Sequence, residues 1–470
     1  MQSRLSNCLV PIIFGLFCCT CPAVTGGDIL TGQSAFGDYT QDAPGVRRKI
    51  LATDLPPPFT SWVDTSQPLI PRPENVFPQV PKDFVVELFA DDLDHPRLLR
   101  TAPNGDIFLA ESFADKITLF RRNTTTGHVD KFVYATNDTG LQWPFGIAFY
   151  PPGPNPTHIY VANTANIIRF NYSNGDVVAR GPGEIVTEQI PSGRMILLTG
   201  GGHWTRDIAF TKDGQAMLVS VGSLTNVQAK ADDNETDRAM ILRFNVNGTN
   251  KTQYATGIRN AVGIGIHPET GDLWASVNER DGLGDDLVPD YVTRVKEGEF
   301  YGWPWFYMGK NIDPRHNITS YPPGMLEKSR IPDVLIQAHS ASLQMSFYTG
   351  KTFPKEYVND VFAAQHGSWN RKKLTGYKVV RVLEENGQAT GVYEDFVTGF
   401  VTPEGKVWGR PVGVTIAHDG SLLISDDGSN SIWRVWYNGT DTNGCLAQYC
   451  SNRHVIVIFL IMLLAFVRSQ

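Results

Sequence analysis

Residues 411–437 read PVGVTIAHDGSLLISDDGSNSIWRVWY and contain the pattern that decides the fold. An alternating strand leads to a tight turn at Asp419-Gly420, a second strand follows, and a third strand ends in aromatic residues. An Asp-Gly pair between two alternating apolar runs is a strong signal of a β-hairpin. The segment therefore predicts three consecutive antiparallel strands.

The same pattern recurs along the chain. The other copies are Pro96–Arg122, Pro144–Tyr172, Arg206–Phe244, Val262–Asp281 and Leu343–Val382. No long apolar period of 3.6 residues, the mark of an amphipathic helix, interrupts them. Six unequal repeats, each too small to bury its own faces, predict an all-β fold: a six-bladed β-propeller with four-stranded antiparallel blades over residues 82–437. A pair of β-sandwiches is the alternative.

The composition is that of a folded, acidic protein. The 470 residues include 41 Lys+Arg against 48 Asp+Glu, a formal net charge of −7, and 44 Gly with 30 Pro. Gly and Pro at this level fit many turns between short strands. The negative balance argues against a nucleic-acid partner, which would require a basic surface.

The first 81 residues divide into two parts. Residues 1–23 have one positive charge at Arg4, an apolar run and small residues near Ala23, the layout of a secretory signal peptide. An uncleaved membrane anchor is the alternative, although the apolar run is short for a bilayer span. Residues 24–81 are Pro-rich without sustained periodicity, and we expect an extension that is wrapped on the domain or tethered to it.

The C-terminal end has the pattern of a lipid-anchoring signal. Residues 455–467 are thirteen apolar residues, fewer than the roughly 20 that a membrane-spanning helix needs. Small residues and a polar spacer precede them, which predicts a glycosylphosphatidylinositol (GPI) anchor at Asn443, with 438–443 as spacer and 444–470 removed. Ser451 is a competing attachment site, and a short tail-anchored helix is the alternative. We therefore expect membrane contact through a lipid anchor only.

Sequons for N-glycosylation agree with secretion. Eight occur, at Asn123, Asn137, Asn171, Asn234, Asn247, Asn250, Asn317 and Asn438. Together with a signal peptide, they predict a glycoprotein on the extracellular side of the plasma membrane. No cysteine lies between Cys21 and Cys445, which excludes a cysteine nucleophile in the body of the chain.

Loops that flank the repeated strands carry cationic and polar side chains. Equivalent loops of successive blades meet at one end of a propeller, so these side chains should surround one axis. They are Arg97, Arg206, Arg259, Lys372 or Lys373 and Arg410, beside His203 and His366. Clustered cations repel unless they hold an anion, and arginine suits planar carboxylates. The alternative is that each arginine pairs with a carboxylate of a neighbouring blade.

Residues 278–290 read NERDGLGDDLVPD and lie between strands of the fourth repeat. Carboxylates and Gly turns at this density suit a hard cation with oxygen ligands, most simply calcium. The spacing is not that of an EF-hand loop, and an acidic solvated turn is the alternative.

Four strings carry a resemblance to a known family: GIRN at 257–260, NERDGLGDD at 278–286, FYGWP at 300–304 and QHGSWN at 365–370. From about Pro81 to Tyr437 the chain resembles the quinoprotein sugar dehydrogenases of the sorbosone, pyranose and soluble glucose dehydrogenase group. These are six-bladed propellers that use pyrroloquinoline quinone (PQQ) with calcium. The resemblance implies oxidation of a sugar hydroxyl by hydride transfer to PQQ, a small sugar substrate and an external electron acceptor.

The resemblance also implies roles for individual residues. His203 would be the general base, and we expect its imidazole to keep an ordinary pKa of about 6.5, suited to neutral pH. PQQ would be held by Arg97, Arg259, Asn260, His366, Asn370, Lys372 (or its neighbour Lys373) and Arg410. Calcium would be bound by the side chain of Asp285 and the backbone carbonyls of Arg280 and Asp281, with Tyr301 nearby.

One stretch departs from the family pattern. In the bacterial glucose dehydrogenases, a carboxylate in the strand after the catalytic histidine orients its imidazole, whereas residues 219–223 read VSVGS here. Asp207 is too close in sequence to be assumed a substitute. The departure moves the chain towards the sorbosone and pyranose branch and leaves open what orients His203.

Two other functions remain open. One is a propeller that keeps the fold as a cell-surface binding protein, since the hedgehog-interacting protein resembles this family without being known for the chemistry. Anchoring and glycosylation favour that function, whereas the retained histidines and cations count against it. The other is a metal-dependent lactonase, which needs several carboxylates facing the axis where these loops offer cations.

Overall fold

The computed structural model describes residues 28–61, 67–123, 125–192, 202–227, 235–316 and 321–439. Several predicted features lie outside these residues: the signal peptide (1–23), the anchor signal (444–470), both candidate anchor sites Asn443 and Ser451, and the sequons at Asn234 and Asn317. The other six sequon asparagines are exposed. Within the described part of the chain, no helix combines the length and apolar character needed to cross a membrane.

The N-terminal part and the first three blades contribute fifteen strands. The N-terminal strands are β1 (Ile29–Thr31), β2 (Arg47–Lys49) and β3 (Phe84–Ala90). Blade one contains β4 (Leu99–Thr101), β5 (Ile107–Glu111), β6 (Lys116–Arg122) and β7 (Val129–Ala135). Blade two contains β8 (Gly146–Tyr150), β9 (His158–Ala162), β10 (Ile167–Asn171) and β11 (Glu184–Thr187). Blade three contains β12 (Ile208–Phe210), β13 (Ala216–Val221), β14 (Met240–Asn245) and β15 (Thr252–Thr256).

The remaining strands complete the ring. Blade four contains β16 (Ala261–Ile266), β17 (Leu273–Val277), β18 (Pro289–Val295) and β21 (Val334–Ala338), with the hairpin β19 (Phe306–Tyr307) and β20 (Asn311–Ile312) inserted before its last strand. Blade five contains β22 (Ser342–Phe347), β23 (Val361–Gln365), β24 (Lys378–Glu385) and β25 (Gln388–Val397). Blade six contains β26 (Pro411–Ile416), β27 (Leu422–Asp426) and β28 (Ser431–Tyr437), with β3 as its fourth strand.

Helical structure in the described residues is limited to single turns. The α-helical turn is α1 (Met325–Lys328). The 3-10 turns are Gly32–Phe36, Tyr39–Gln41, Ser112–Ala114, Asn137–Thr139 and Lys355–Tyr357. The fold is thus built from sheets alone, and the predicted six-bladed propeller is confirmed.

Packing between blades explains why such short repeats are stable. The second strands β5, β13, β17, β23 and β27 are buried along their whole length. Adjacent blades cover both faces of these strands, so their residues are buried on both sides, and polar residues occur mainly towards the ends of the strands. Trp274 of blade four, for example, is fully buried and lies 5.7 Å from the ring of Phe347 of blade five.

The quoted segment 411–437 forms the hairpin that its sequence predicts. Gly420 has φ +82° in the turn between β26 and β27, a conformation that glycine adopts without strain. Its N–H donates to the carbonyl of Ala417 at 2.9 Å. Asp426 and Ser431 then pair across the second hairpin.

The residues before the propeller close and extend it. β3 pairs antiparallel with β28, with Phe84 opposite Tyr437, so the N-terminal part supplies the outer strand of the last blade. β2 pairs with β25 and lengthens blade five to six strands. Arg48 of β2 is fully buried, and its guanidinium lies 2.6 Å from Asp395 of β25. The described residues of this extension therefore pack on blades four to six, since Ala35, Phe36 and Ile50 join the core cluster of blade four.

Candidate active site

Loops at one end of the ring enclose a polar cavity of about 180 Å³. Its lining residues are His203, Asn226, Arg259, Asn278, Asp281, His339, Ala341, Trp369 and Asn370. The cavity opens at Trp369, which is 47% exposed. Four predicted site residues, His203, Arg259, Asp281 and Asn370, thus come together from the loops of three blades.

Ser223 orients the imidazole of His203. The Nδ1 atom of His203 lies 2.9 Å from the carbonyl oxygen of Ser223 and 3.1 Å from its hydroxyl. That hydroxyl donates its own hydrogen to the carbonyl of Thr225 at 2.7 Å. Because both Ser223 oxygens must accept, Nδ1 carries the hydrogen, and the lone pair of Nε2 is left to accept a proton.

The protonation of His203 differs from the expected one. Loss of solvation on burial and the positive charge of Arg259 lower the pKa of His203 to about 3. The expectation of an ordinary value of about 6.5 is therefore wrong, because it ignored the cation beside the ring. The imidazole is neutral throughout the physiological pH range.

Close packing around Gly222 leaves no room for a carboxylate at this position of the stretch 219–223. A Cβ added at Gly222 would lie 2.6 Å from the Cβ of His203 and would collide with the amide oxygen of Asn260. Since even a methyl group has no room, an orienting acid cannot occupy this position. The backbone carbonyl of the next residue, Ser223, takes over the role.

Arg259 is held by neutral oxygens. Its guanidinium donates to the side-chain oxygen of Asn226 at 2.8 Å and to the carbonyl of Asn278 at 3.0 Å. Burial lowers the pKa of Arg259 from its usual value, although the charge of Asp281 opposes this change. A guanidinium fixed by two asparagines at a cavity wall keeps its charge for an anion in the cavity.

Two amide oxygens at the site lack a partner. Among the described residues, the Oδ1 atoms of Asn260 and Asn370 are buried without a hydrogen bond. Asn370 lines the cavity and Asn260 lies with His203 around Gly222, so these unpartnered oxygens point to a ligand that donates hydrogen bonds there.

The carboxylate of Asp427 binds two of the predicted cofactor ligands, Arg97 and His366, and is influenced by the charge of a third, Arg410. This carboxylate lies 2.5 Å from Nη1 of Arg97 and 2.8 Å from Nε2 of His366. Burial opposes ionisation, but His366, Arg97 and Arg410 together hold the pKa of Asp427 well below its ordinary value. Arg97 therefore pairs with a carboxylate of a neighbouring blade, as the alternative interpretation of the cationic loops predicted.

Two other predicted cations lie away from the cavity wall. Arg206 is fully buried, and its guanidinium donates to the carbonyls of His203 and Pro191, both at 2.8 Å. It does not face the channel as expected, but fixes the backbone that carries His203. The side chain of Lys372 is exposed, and its backbone N–H lies 3.3 Å from Oδ1 of Asp285.

Cationic side chains hold the oxygens of the loop 278–286. Both ring nitrogens of His339 face acceptors, Oδ1 of Asp281 at 3.1 Å and the carbonyl of Gly284 at 2.9 Å. Despite burial, the hydrogen bond and the charge of Asp281 raise the pKa of His339. The carbonyl of Asp281 accepts from Arg315 at 2.7 Å, and that of Asp285 accepts from Arg371 at 3.0 Å.

The predicted calcium ligands are only partly brought together. The guanidinium of Arg280 is buried beside Glu279, while the Tyr301 hydroxyl donates to the carbonyl of Arg294 at 2.9 Å. Arg294 lies near the far end of β18, so the Tyr301 hydroxyl does not reach the loop. Nowhere in the described ranges do three His, Cys, Asp or Glu side chains group as a metal site. Calcium binding by backbone oxygens stays a prediction.

One repeated position accounts for Asp427, one of the site residues that sequence reasoning missed. The residue directly after the second strand of a blade faces this end of the ring, and in four blades it is Gly222, Asn278, His366 or Asp427. Aligning the repeats at that position would have identified Asp427. Asn226 and His339 leave no comparable signal in the sequence.

A β-propeller with a cation-walled cavity around a neutral histidine is the class that the fold and site define. The TrAA12-like family profile matches residues 78–295 and 325–438, and the chain belongs to this family. The resemblance drawn from the sequence strings is thereby confirmed.

Two curated relatives show how far the similarity extends. An uncharacterised protein of Borreliella burgdorferi is 30% identical over 376 residues, which cover 76% of this chain and 90% of that protein. The pyrroloquinoline quinone-dependent pyranose dehydrogenase of Coprinopsis cinerea is 24% identical over 311 residues, 52% of this chain and 41% of that enzyme. The chain thus matches less than half the length of the pyranose dehydrogenase.

Two solved structures have the same fold. The calcium structure of a Trichoderma reesei enzyme of family AA12 superposes with a TM-score of 0.62 at 18% identity, covering 80% of this chain and 99% of that one. The holo form of the PQQ domain of the C. cinerea pyranose dehydrogenase gives a TM-score of 0.62 at 19% identity, covering 79% and 100%. At these identities the likeness establishes the architecture.

Proposed function

We propose that the protein is a PQQ- and calcium-dependent dehydrogenase that oxidises a sugar hydroxyl on the extracellular side of the plasma membrane. The observation that carries the proposal is His203, a neutral imidazole whose Nε2 is left to accept a proton in a cavity walled by Arg259. Membership of the TrAA12-like family supports it, as does the relative from C. cinerea, which is a PQQ-dependent pyranose dehydrogenase.

The donor set at the cavity fits PQQ. This cofactor carries three carboxylates, and Arg259 is held by neutral oxygens, so its charge is available to one of them. Arg97 and Arg410 border the same end of the ring around Asp427. PQQ has a single N–H donor, so it would complete at most one of the unpartnered amide oxygens of Asn260 and Asn370, while the amide N–H groups of these residues would donate to its carboxylates.

His203 supplies the proton chemistry of the proposed reaction. When bound, PQQ supplies the acceptor for the hydride that leaves the sugar carbon. The Nε2 atom of His203 takes the hydroxyl proton, while Nδ1–H remains fixed on the carbonyl of Ser223. Protonation at Nε2 is disfavoured by Arg259, and an anion beside Arg259 reduces that penalty. Binding of an anion therefore raises the pKa of His203 and makes it a stronger base.

Calcium is the second part of the proposal. Backbone carbonyls and carboxylates of the loop 278–286 are hard oxygen donors of the kind that calcium prefers. Arg315, Arg371 and His339 now hold those oxygens, so calcium must exchange with them. The calcium structure of the T. reesei relative supports this part of the proposal.

Location rests on the two ends of the chain and on the sequons. A signal peptide at 1–23 and a GPI signal at 444–470 would deliver the propeller to the outer cell surface. Six sequon asparagines are exposed and therefore accessible to a glycosylating enzyme. Release of the protein from cells by a GPI-specific phospholipase would test the anchor.

Titration of the purified glycoprotein with PQQ tests the central proposal. We expect saturable binding by calorimetry, tighter with calcium, and a change of the quinone absorbance when aldoses or ketoses are added. His203→Ala should keep PQQ binding and lose turnover. If PQQ does not bind, or no sugar of a broad panel changes the absorbance, the proposal is wrong.

A cell-surface binding protein is the second candidate. It is favoured by Asp427, which neutralises Arg97 within the protein, so that part of the cation cluster does not require an added anion. A binding protein should keep its partner affinity after His203→Ala, whereas a dehydrogenase should lose activity. The same variant therefore separates the two candidates.

A further inference from the structure

A group of aromatic rings, here called the aromatic wall, includes Trp204, the residue that follows His203 in the chain. It consists of His95, Phe113, Trp143 and Trp204, from the loops of blades one to three. The Phe113 ring centroid lies 5.5 Å from that of Trp143, 5.7 Å from that of Trp204 and 5.5 Å from that of His95. The centroids of Trp143 and Trp204 are 5.6 Å apart. The three large rings meet edge-to-face or tilted, with interplanar angles of 72°, 43° and 83°, and thus form one contiguous cluster.

The aromatic wall borders the hydrophobic core, against which Trp204 packs, but its rings are not fully covered. Phe113 is 43% exposed, and the side chains of Trp143 and Trp204 are only half-buried. Rings placed for packing alone would be covered, because burial is what stabilises them. Exposed aromatic groups of this size mark binding surfaces more often than chance placement does.

Strained backbone presents two of these rings. Trp143 has φ +51° and His95 has φ +49°, a region that bulky side chains rarely adopt. The N–H of Trp143 is fixed by Oδ1 of Asp115 at 2.6 Å, which holds the residue in this conformation. Such strain persists where the surroundings impose it and concentrates at ligand-binding sites.

The aromatic wall is continuous with the candidate active site. Trp204 directly follows His203, and the guanidinium of Arg97 lies 5.6 Å from the Trp204 ring while it binds Asp427. Trp204 also packs edge-on against the core residue Phe145, with 6.0 Å between centroids. None of the four rings is among the residues that line the described cavity. The aromatic wall therefore extends the site outward from the base.

The chemistry of the surface matches one face of a sugar. The C–H groups of a pyranose ring form an apolar face that packs on aromatic rings, and its hydroxyls need polar partners at the edge. Here the edge is His95, whose Nδ1 lies 2.8 Å from Oδ1 of Asp94 and whose side chain is exposed.

We propose that Phe113, Trp143 and Trp204, which meet edge-to-face or tilted, form an aromatic platform against which the sugar substrate packs, placing its reacting hydroxyl beside His203. This inference rests on the proposed function, since it assigns specificity residues to the same reaction. The aromatic wall contacts the sugar but takes no part in proton or hydride transfer.

Substitution of the most exposed ring tests the inference. Phe113→Ala should raise the KM of the sugar oxidised best in a panel of D-glucose, D-galactose, D-mannose and D-xylose by roughly tenfold, with kcat and PQQ affinity unchanged. Phe113→Tyr keeps the ring and should restore KM. Phe77→Ala is the matched control, since Phe77 is 47% exposed on the outer part of the molecule beside Trp433 and should leave KM unaltered.

Further readouts separate the possible outcomes. An unchanged sugar KM in Phe113→Ala and in Trp143→Phe, or a raised KM for the electron acceptor instead, would overturn the inference. If PQQ does not bind at all, the proposed function fails. Saturation-transfer NMR with the same four sugars then tests separately whether the aromatic wall binds a sugar. Signal transfer to the sugar in the unmodified protein that is lost in Phe113→Ala then supports the platform. No transfer in the unmodified protein, or equal transfer in both proteins, rejects it.

Discussion

The imidazole Nδ1 of His203 lies 2.9 Å from the backbone carbonyl oxygen of Ser223. A side-chain carboxylate in this role can be removed by mutation, whereas a carbonyl belongs to the chain itself. The orientation of His203 therefore depends on the course of the backbone at residues 222 and 223. Neighbouring substitutions should act on catalysis by moving that backbone.

Substitutions at Gly222 and Ser223 should have unequal effects. Ser223→Ala removes only the hydroxyl at 3.1 Å and keeps the carbonyl, so we expect kcat to change by about threefold or less. Gly222→Ala places a methyl group against His203 and Asn260, and a misplaced base costs roughly 10²-fold in kcat. Steady-state kinetics with matched PQQ loading measures both. Equal losses in the two variants would contradict the assigned orientation.

The protonation of His203 should depend on anion binding. In the free protein we expect its imidazole to stay neutral down to a pH of about 4, because its pKa is about 3. PQQ beside Arg259 should raise that pKa by compensating the guanidinium charge. Nitrogen NMR of labelled imidazoles, with His203→Gln for assignment, reports the titration directly. A pKa near 6.5 without ligand would contradict the structure.

The same pKa difference has a consequence for stability. The unfolded imidazole titrates near pH 6.5 and the folded one near 3, so between these values the unfolded state binds more protons. His203 therefore lowers the free energy of unfolding as the pH falls below about 6.5. Denaturation at pH 5 and 7.5 should show less acid sensitivity in His203→Gln than in the unmodified protein.

Removal of the Asp427 carboxylate should destabilise the free protein. Asp427→Asn leaves Arg97 without its ion pair and should lower the free energy of unfolding by about 3–5 kcal/mol. Asp419→Asn is the control, because its pairs with Arg122 and Arg434 are near the surface and contribute up to about 1 kcal/mol. Urea denaturation measures both, and PQQ should stabilise both variants but Asp427→Asn more, because a cofactor carboxylate can replace the lost counter-charge of Arg97. Equal losses would show that Asp427 is not the buried counter-charge.

Calcium dependence should centre on Asp285. Asp285→Asn removes one negative oxygen from the loop, and we expect the calcium concentration for half-maximal activity to rise roughly 10-fold to 100-fold. Asp272→Asn is the matched control, since Asp272 lies in the same blade, 3.7 Å from Arg294 and away from the loop. Activity measured in calcium buffers after chelation gives the comparison. An unaltered calcium requirement in Asp285→Asn would place the ion elsewhere.

The sequence was sufficient for the ring but not for its closure. Each predicted hairpin has local signals, such as Asp419-Gly420, and those signals also set the register of the strands. β3 has no such signal, because its partner β28 lies more than 340 residues away in the chain. β2 is short and is positioned by the buried pair of Arg48 and Asp395, which no local pattern could predict.

At the site, the sequence identified residues better than it identified their partners. His203 and Arg259 precede the first strands of successive blades, and Asn370 follows the second strand of the next blade; both kinds of loop meet at this cavity. Whether the side chain of Arg206 is buried or faces the channel, by contrast, depends on backbone carbonyls that come together only in the folded protein. The pKa of His203 escaped prediction for the same reason, since desolvation and the distance to Arg259 are properties of the fold.

The pairing of β3 with β28 also orders events during synthesis on the ribosome. The strand that begins at Phe84 emerges early, but its partner ending at Tyr437 is among the last parts of the propeller to be translated. Five blades can assemble in sequence while the first strand waits with one edge unsatisfied. The ring locks only when the final hairpin arrives, so a ribosome that stalls before residue 431 releases an open chain with an exposed strand edge at each end.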